Sequence, residues 1–179
     1  MFYYEVDEDI TLRLLNFDDT DELFGLIDTS RDHLRQWMPW LDTTKEPEDS
    51  KQFIDSAYQS YANRQSLIAG IFYRGRLAGM VSFNSLDWAN RIGSVGYWIA
   101  QNYQGKGIMT RSVRGLVDYG FHVLGLNRID IRAAYGNKKS RAIAERLGFR
   151  QEGQLRQVEW LYDHYVDHVV YGMLAQDWI

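Results

Sequence analysis

The chain has 179 residues, 45% of them hydrophobic and 15% aromatic, with a net charge of -4 and a pI near 5.5. That length buries a core of its own as one domain over residues 1–179, and an acidic chain without a basic run is no candidate for nucleic acid. The absence of cysteine excludes a disulfide scaffold and a thiolate metal site.

The N-terminus, MFYYEVDEDI, is acidic and has no secretory charge pattern, and no apolar run approaches the roughly 20 residues of a membrane span. The expectation is a cytoplasmic protein with neither a membrane nor a nucleic acid as partner.

ITLRLL, Ile10 to Leu15, alternates apolar and polar residues and predicts a first strand. Asp19 and Glu22 form a capping box opening a helix that carries Leu23, Phe24 and Ile27 on one face. In SRDHLRQWMPWLD, Leu34, Trp37 and Met38 keep helical spacing until Pro39 stops it. A further helix starts at TKEPEDSKQF, where Pro47 and the acids around it suit a first turn.

Strands then take over. SLIAGIFYRGRLAGMVSFNSL divides at Arg74-Gly75 into a hairpin, and Arg91 to Ala100 is a third strand with an internal Gly96. After the GKG segment a helix runs through Met109, Val113, Leu116, Val117, Phe121 and Leu124 to Gly125. RIDIRAA is a short buried strand, and NKKSRAIAERLGF is a helix from Asn137 to Gly148. QVEWLY and YVDHVVYGML close the chain as short strand-like pieces, paired through a turn at Asp163-His164. The order of elements is α/β or α+β.

YQGKGIMT joins a strand to a helix through two glycines. Such a turn lets the backbone come close and presents free N–H groups at a helix N-terminus, where the dipole adds partial positive charge. Neither a P-loop nor the three-glycine dinucleotide fingerprint is present.

The run GYWIAQNYQGKGIMT, with NKKSRAIAERLGF after it, resembles the acetyl-CoA-binding core of the GNAT N-acetyltransferases. Gln104, Gly107 and Met109 take the places of that family's pyrophosphate loop, and GKGIMT looks like the RimJ/RimL branch, which acetylates protein N-termini. HLRQWMPWLD upstream and EGQLRQVEWLYDHYVDHVVYGML downstream extend the likeness over nearly the whole chain.

The resemblance implies a GNAT fold, a mixed and mostly antiparallel sheet flanked by helices and splayed at the acetyl-CoA site. It implies that Gly96 marks a bulge, and that the backbone of Tyr97, Trp98 and Ile99 meets the pantetheine amides like an added strand. Gln104, Gly105, Lys106, Gly107, Ile108, Met109 and Thr110 would cradle the pyrophosphate, with Asn137 orienting the coenzyme. Many members carry a tyrosine acid seven residues after the asparagine, but Ala144 stands there. The RimL branch uses instead the serine that Ser140 matches, near the departing thiolate, and a glutamate that Glu159 matches, to accept the amine proton.

Trp37, Met38, Trp40 and Asp42 are candidate walls of the acceptor cleft, the acid facing a cationic amine. His164 and His168 lack any companion metal motif and are read as structural, so no metal is expected. The expected activity is direct acetyl transfer to an amine, foremost the α-amine of a ribosomal protein. Small amines such as a polyamine, amino sugar or aminoglycoside are the alternative acceptors, and a non-catalytic acyl-CoA-binding module is the alternative outside enzymes. A homodimer is a family-based expectation.

Overall fold

The computed structural model describes residues 1–179. In chain order the elements are β1 (Tyr3–Glu5), β2 (Ile10–Arg13), α1 (Thr20–Asp28), α2 (Arg31–Arg35), α3 (Pro47–Ala62), β3 (Leu67–Tyr73) and β4 (Arg76–Asp87). They continue with β5 (Ile92–Ile99), α4 (Ile108–His122), β6 (Arg128–Ala134), α5 (Lys138–Arg146), β7 (Arg150–Leu161) and β8 (His164–Leu174). The strands form one 8-stranded sheet in the order β1-β2-β3-β4-β5-β6-β8-β7. Only β5 and β6 are parallel neighbours; every other pair is antiparallel.

Helices cover both faces of this sheet. Ile108, Met109, Val113, Leu116, Val117 and Phe121 recur at the helical period along α4, and they pack with Ala69, Ile71, Val81, Phe83, Val95, Ile129 and Ile131 from the strands. On the other face Leu23 and Ile27 of α1 and Ile54 of α3 meet Phe72, Leu77 and Met80. Burying each such side chain contributes about 1.5–3 kcal/mol, and the two layers together fix the sheet between them. No helix is long and apolar enough to cross a membrane.

The sequence expectations hold for the order of the central elements and fail in local detail. β1 was not foreseen, because a three-residue edge strand with burial alternating about partial exposure carries no core-facing period. β2 ends at Arg13, two residues before Leu15. The cap before α1 comes from Asn16, whose side chain accepts from Asp18 N–H at 2.9 Å. Asp19 closes that capping box, accepting from Asn16 N–H at 2.8 Å, and also accepts from both terminal nitrogens of Arg13, at 2.8 and 2.9 Å, whereas Glu22 accepts from Leu77 N–H at 2.8 Å. α2 stops at Arg35, so Trp37 and Met38 lie in the following turn rather than on a helix face.

Pro47 does open α3, and Asp49 accepts from the N–H groups of Lys45 and Glu46 at 2.8 and 3.0 Å. β7 is one continuous 12-residue strand, and the turn to β8 falls on Tyr162 and Asp163, one residue earlier than expected.

Candidate active site

β5 pairs with β6 only from Ile92 to Val95, against Arg128 to Ile131. Beyond that point Tyr97, Trp98 and Ile99 stay paired with Val81, Met80 and Gly79 of β4, while β6 continues beside β8 alone. The sheet therefore splays, and the outer edge of β5 beyond Val95 faces a gap without a strand partner. The bulge expected at Gly96 lies across from it: Asn84 is the extra residue, on β4, between the pairs Phe83–Val95 and Ser85–Ser94. Gly96 serves close approach, since a Cβ there would overlap the Asn84 amide.

The gap runs into two cavities of about 870 Å³ and about 330 Å³, which share Trp37, Met38, Tyr97, Trp98, Asn137 and Ser140 in their walls. The smaller lies beside Gln104 and Met109, at the start of α4. The larger opens between the sheet and the helices α1 and α3.

At the mouth of the smaller cavity the turn before α4 holds Gly105 and Gly107 at φ +77 and +72, the left-handed region that favours glycine. The backbone N–H groups of Gly105, Lys106, Gly107, Ile108, Met109 and Thr110 donate to no acceptor within the protein. A Cβ at Gly105 would meet nothing within 4 Å, so the cradle is open to solvent on that side. Six uncommitted donors at the positive end of a 15-residue helix fit a pyrophosphate.

Arg111 braces this turn and does not lend it charge. Its guanidinium donates to the carbonyls of Gly107 and Lys106, both at 3.3 Å, and pairs with Asp7 at 2.8 Å. Lys106 is exposed and makes no ion pair. The Gln104 amide contacts Nε2 of His33 at 3.2 Å, a partner that its sequence position does not announce. Burial lowers the pKa of His33, with Lys139 nearby acting in the same sense.

Ser140 and Tyr97 meet across the gap. Asn137 caps α5 by accepting from Ser140 N–H at 3.3 Å, which turns the serine side chain toward β5. The Ser140 hydroxyl donates to the Tyr97 hydroxyl at 3.1 Å, and the Tyr97 hydroxyl donates to the Ser140 carbonyl at 2.8 Å. Burial pushes the Tyr97 hydroxyl up to about 12, against the opposing bond from Ser140, so it stays protonated at neutral pH. Only the backbone of Tyr97 was foreseen in the site; its hydroxyl was not.

Glu159 lies in the larger cavity with His168, whose Nε2 is 3.1 Å from the Glu159 carboxylate. His168, read from the sequence as structural, thus contacts the candidate base. β7 carries extra residues between Leu155, opposite His168, and Glu159, opposite Val166. With Val166 and His168 on one face of β8, that irregularity places Glu159 diagonally beside His168. Nδ1 of His168 is buried without a partner.

Trp37 and Trp40 do line the larger cavity, with the Trp40 ring 5.9 Å from that of Trp98. Tyr162 pins their loop, donating to the Met38 carbonyl at 2.5 Å and accepting from Leu41 N–H at 3.2 Å. Asp42 does not join them. Its carboxylate is held outside the cavity by Arg35, at 2.9 and 3.0 Å, and that guanidinium stacks on Tyr162 with 3.7 Å to the ring centre.

A splayed β5–β6 pair, a free N–H turn at the start of α4, and an aromatic-walled cleft beyond it define a coenzyme-dependent acyltransferase. Residues 9–150 match the Acetyltransferase (GNAT) domain, so the chain belongs to the GNAT acetyltransferase family, and its donor is acetyl-CoA. It is similar to "Putative ribosomal N-acetyltransferase YdaF" of Bacillus subtilis (strain 168), at 38% identity over 99% of this chain and 98% of the relative.

Among solved structures it resembles the microcin self-immunity acetyltransferase MccE in complex with acetyl-CoA and AMP, with a TM-score of 0.91, 35% identity and 94% of each chain covered. It also resembles RimL, a ribosomal alpha-N-protein acetyltransferase, in complex with coenzyme A. There the TM-score is 0.93 and the identity 25%, over 97% of this chain and 98% of RimL.

Proposed function

We propose that this enzyme acetylates the α-amine of a protein or peptide N-terminus, foremost that of a ribosomal protein, by direct transfer within a ternary complex. The observation that carries the reading is the acid count of the cleft. Only Asp49 and Glu159 contribute carboxylates to its walls, and Asp49 is committed to two backbone N–H groups at the start of α3. One available carboxylate suits one ammonium. A polyamine or aminoglycoside carries several cations and calls for several acids.

Acetyl-CoA supplies the thioester. Glu159, steadied by His168, takes the proton of the entering ammonium, and the Ser140 hydroxyl donates to the departing sulfur. An α-amine asks little of such a base: with a pKa of about 7.7–8.0, roughly 10–15% of it is neutral at pH 7, against less than about 0.1% of a lysine side chain. The turn from Gln104 to Thr110 holds the pyrophosphate, and the edge of Tyr97, Trp98 and Ile99 holds the pantetheine. The chain has no cysteine to carry an acyl-enzyme.

A second reading is a small amine attached to a flat ring system. It is favoured by the Trp40 and Trp98 rings on the cleft wall and by the likeness to MccE, whose structure contains AMP. Specificity constants at pH 7 for N-terminal peptides, free lysine, spermidine, an aminoglycoside and an aminoacyl nucleotide test both. The peptides are expected to lead; a far higher value for any small amine overturns the N-terminal reading.

A further inference from the structure

Arg132 is the only lysine or arginine in the walls of the 870 Å³ cavity, and it is exposed there. No carboxylate is paired with it. Of the neighbouring acids, Asp130 and Glu152 are held by Arg128, at 3.7 and 2.7 Å, Asp130 also accepts from the Ser94 hydroxyl, and Glu159 contacts His168 without reaching Arg132. In a chain with 24 acidic and 20 basic residues, a guanidinium left free on a cleft floor has only an incoming anion to meet.

The sheet register says where that anion sits. Arg132 faces Val170 on β8, and His168, two residues along, is paired with Ala134. Arg132 and His168 are thus diagonal neighbours about 7–8 Å apart, and Glu159 contacts His168. An extended chain advances about 3.3–3.6 Å per residue. A carboxylate reaching Arg132 while the α-amine sits at Glu159 therefore belongs to the second or third residue of the acceptor.

Resting on the N-terminal reading above, we propose that Arg132 selects acceptors with an acidic side chain at the second or third position. The cleft then reads a charge pair, ammonium at one end and carboxylate at the other. Substrate specificity would follow from the acceptor's own sequence and not from its amine alone.

Matched hexapeptides carrying Asp, Asn or Lys at position two or three test this, together with a pair of small amines differing only by a carboxylate. The wild-type enzyme is expected to prefer the Asp peptide over the Asn peptide by about 10-fold or more in kcat/KM. In Arg132→Gln that ratio falls toward one, and in Arg132→Glu the Lys peptide leads. Melting temperature and acetyl-CoA affinity, measured on the same variants, show that each remains folded. An Asp-to-Asn ratio within two-fold of one in the wild type, or one that survives in Arg132→Gln, overturns the inference. A carboxylate preference confined to the small amines would keep Arg132 in its role and remove the N-terminal reading instead.

Discussion

Tyr97 and Ser140 hold each other by two hydrogen bonds across the gap between β5 and α5, hydroxyl to hydroxyl at 3.1 Å and hydroxyl to carbonyl at 2.8 Å. The pair closes the splayed end of the sheet without filling it. It also orients the serine, whose proton points at the tyrosine oxygen until a better acceptor arrives. A departing thiolate is such an acceptor, because hydrogen bonds to charged groups are the stronger ones. Ser140→Ala should slow transfer while leaving acetyl-CoA affinity within a few fold, since its interaction strengthens mainly in the transition state. Tyr97→Phe should cost about 1–3 kcal/mol of stability for the two lost bonds and slow transfer less than Ser140→Ala does. Single-turnover rates and melting temperatures on both variants check this; equal rates in Ser140→Ala and wild type would leave the serine a helix-end residue only.

The turn before α4 gives a second expectation. Valine at Gly107 must adopt φ near +72, at a cost of about 1–3 kcal/mol, and its branches would enter the space where the pyrophosphate meets the N–H groups. Gly107→Val should raise the acetyl-CoA dissociation constant by about 100-fold and remove most of the coenzyme's effect on melting temperature. Gly25→Ala is the control: it lies in α1, has open space around a Cβ, and should stabilise by about 0.5–1 kcal/mol with unchanged coenzyme binding. Calorimetry on the two variants separates loss of the cradle from general damage.

Acid stability should hinge on Asp19. Burial works against its charge, but the bidentate bond from Arg13 and the N–H of Asn16 outweigh it and hold the carboxyl below the usual aspartate value. A depressed folded-state pKa stabilises the fold above the unfolded value of about 3.9 and loses that contribution as pH falls through the folded one. Asp19→Asn should cost about 1.5–3 kcal/mol at pH 7 and flatten the loss of stability below pH 4. Denaturant unfolding at pH 7, 4 and 3 measures it; a pH profile as steep as that of the wild type would move the acid sensitivity elsewhere.

The glycine turn before α4 was legible in the sequence because its signals are local: two glycines, a strand before them and an amphipathic helix after. Asn137 and Ser140 share one helical turn, so that cap was legible as well. What was not legible depends on partners far along the chain. Asp42 looks like a cleft acid until Arg35 is seen to hold it, and Glu22 looks like a cap until Leu77 N–H is seen to use it. His168 reads as a lone histidine on a strand. Only the irregular register of β7 against β8 brings it to Glu159, and no spacing rule encodes an insertion of that kind. The β6–β8 register places Arg132, whose charge reads as ordinary surface until Arg128 is found to have claimed its acidic neighbours.

The Glu159–His168 contact carries the last expectation. If the carboxylate takes the ammonium proton, Glu159→Gln should lower kcat by about 100-fold at pH 7. The deficit should shrink as pH rises through about 8, where roughly half or more of the α-amine is neutral in solution and needs no deprotonation before it attacks. His168 touches the carboxylate and acts through it, so His168→Ala should produce a smaller loss with the same pH trend. Because the two residues form one unit, adding His168→Ala to Glu159→Gln should slow the enzyme by no more than about two-fold, well short of the product of the single effects. Rate profiles from pH 6 to 9 on the two single variants and the double variant decide the matter. Multiplicative losses would separate the histidine from the glutamate, and a deficit in Glu159→Gln that stays constant with pH would remove the glutamate from proton transfer and leave it a binding residue for the cationic amine.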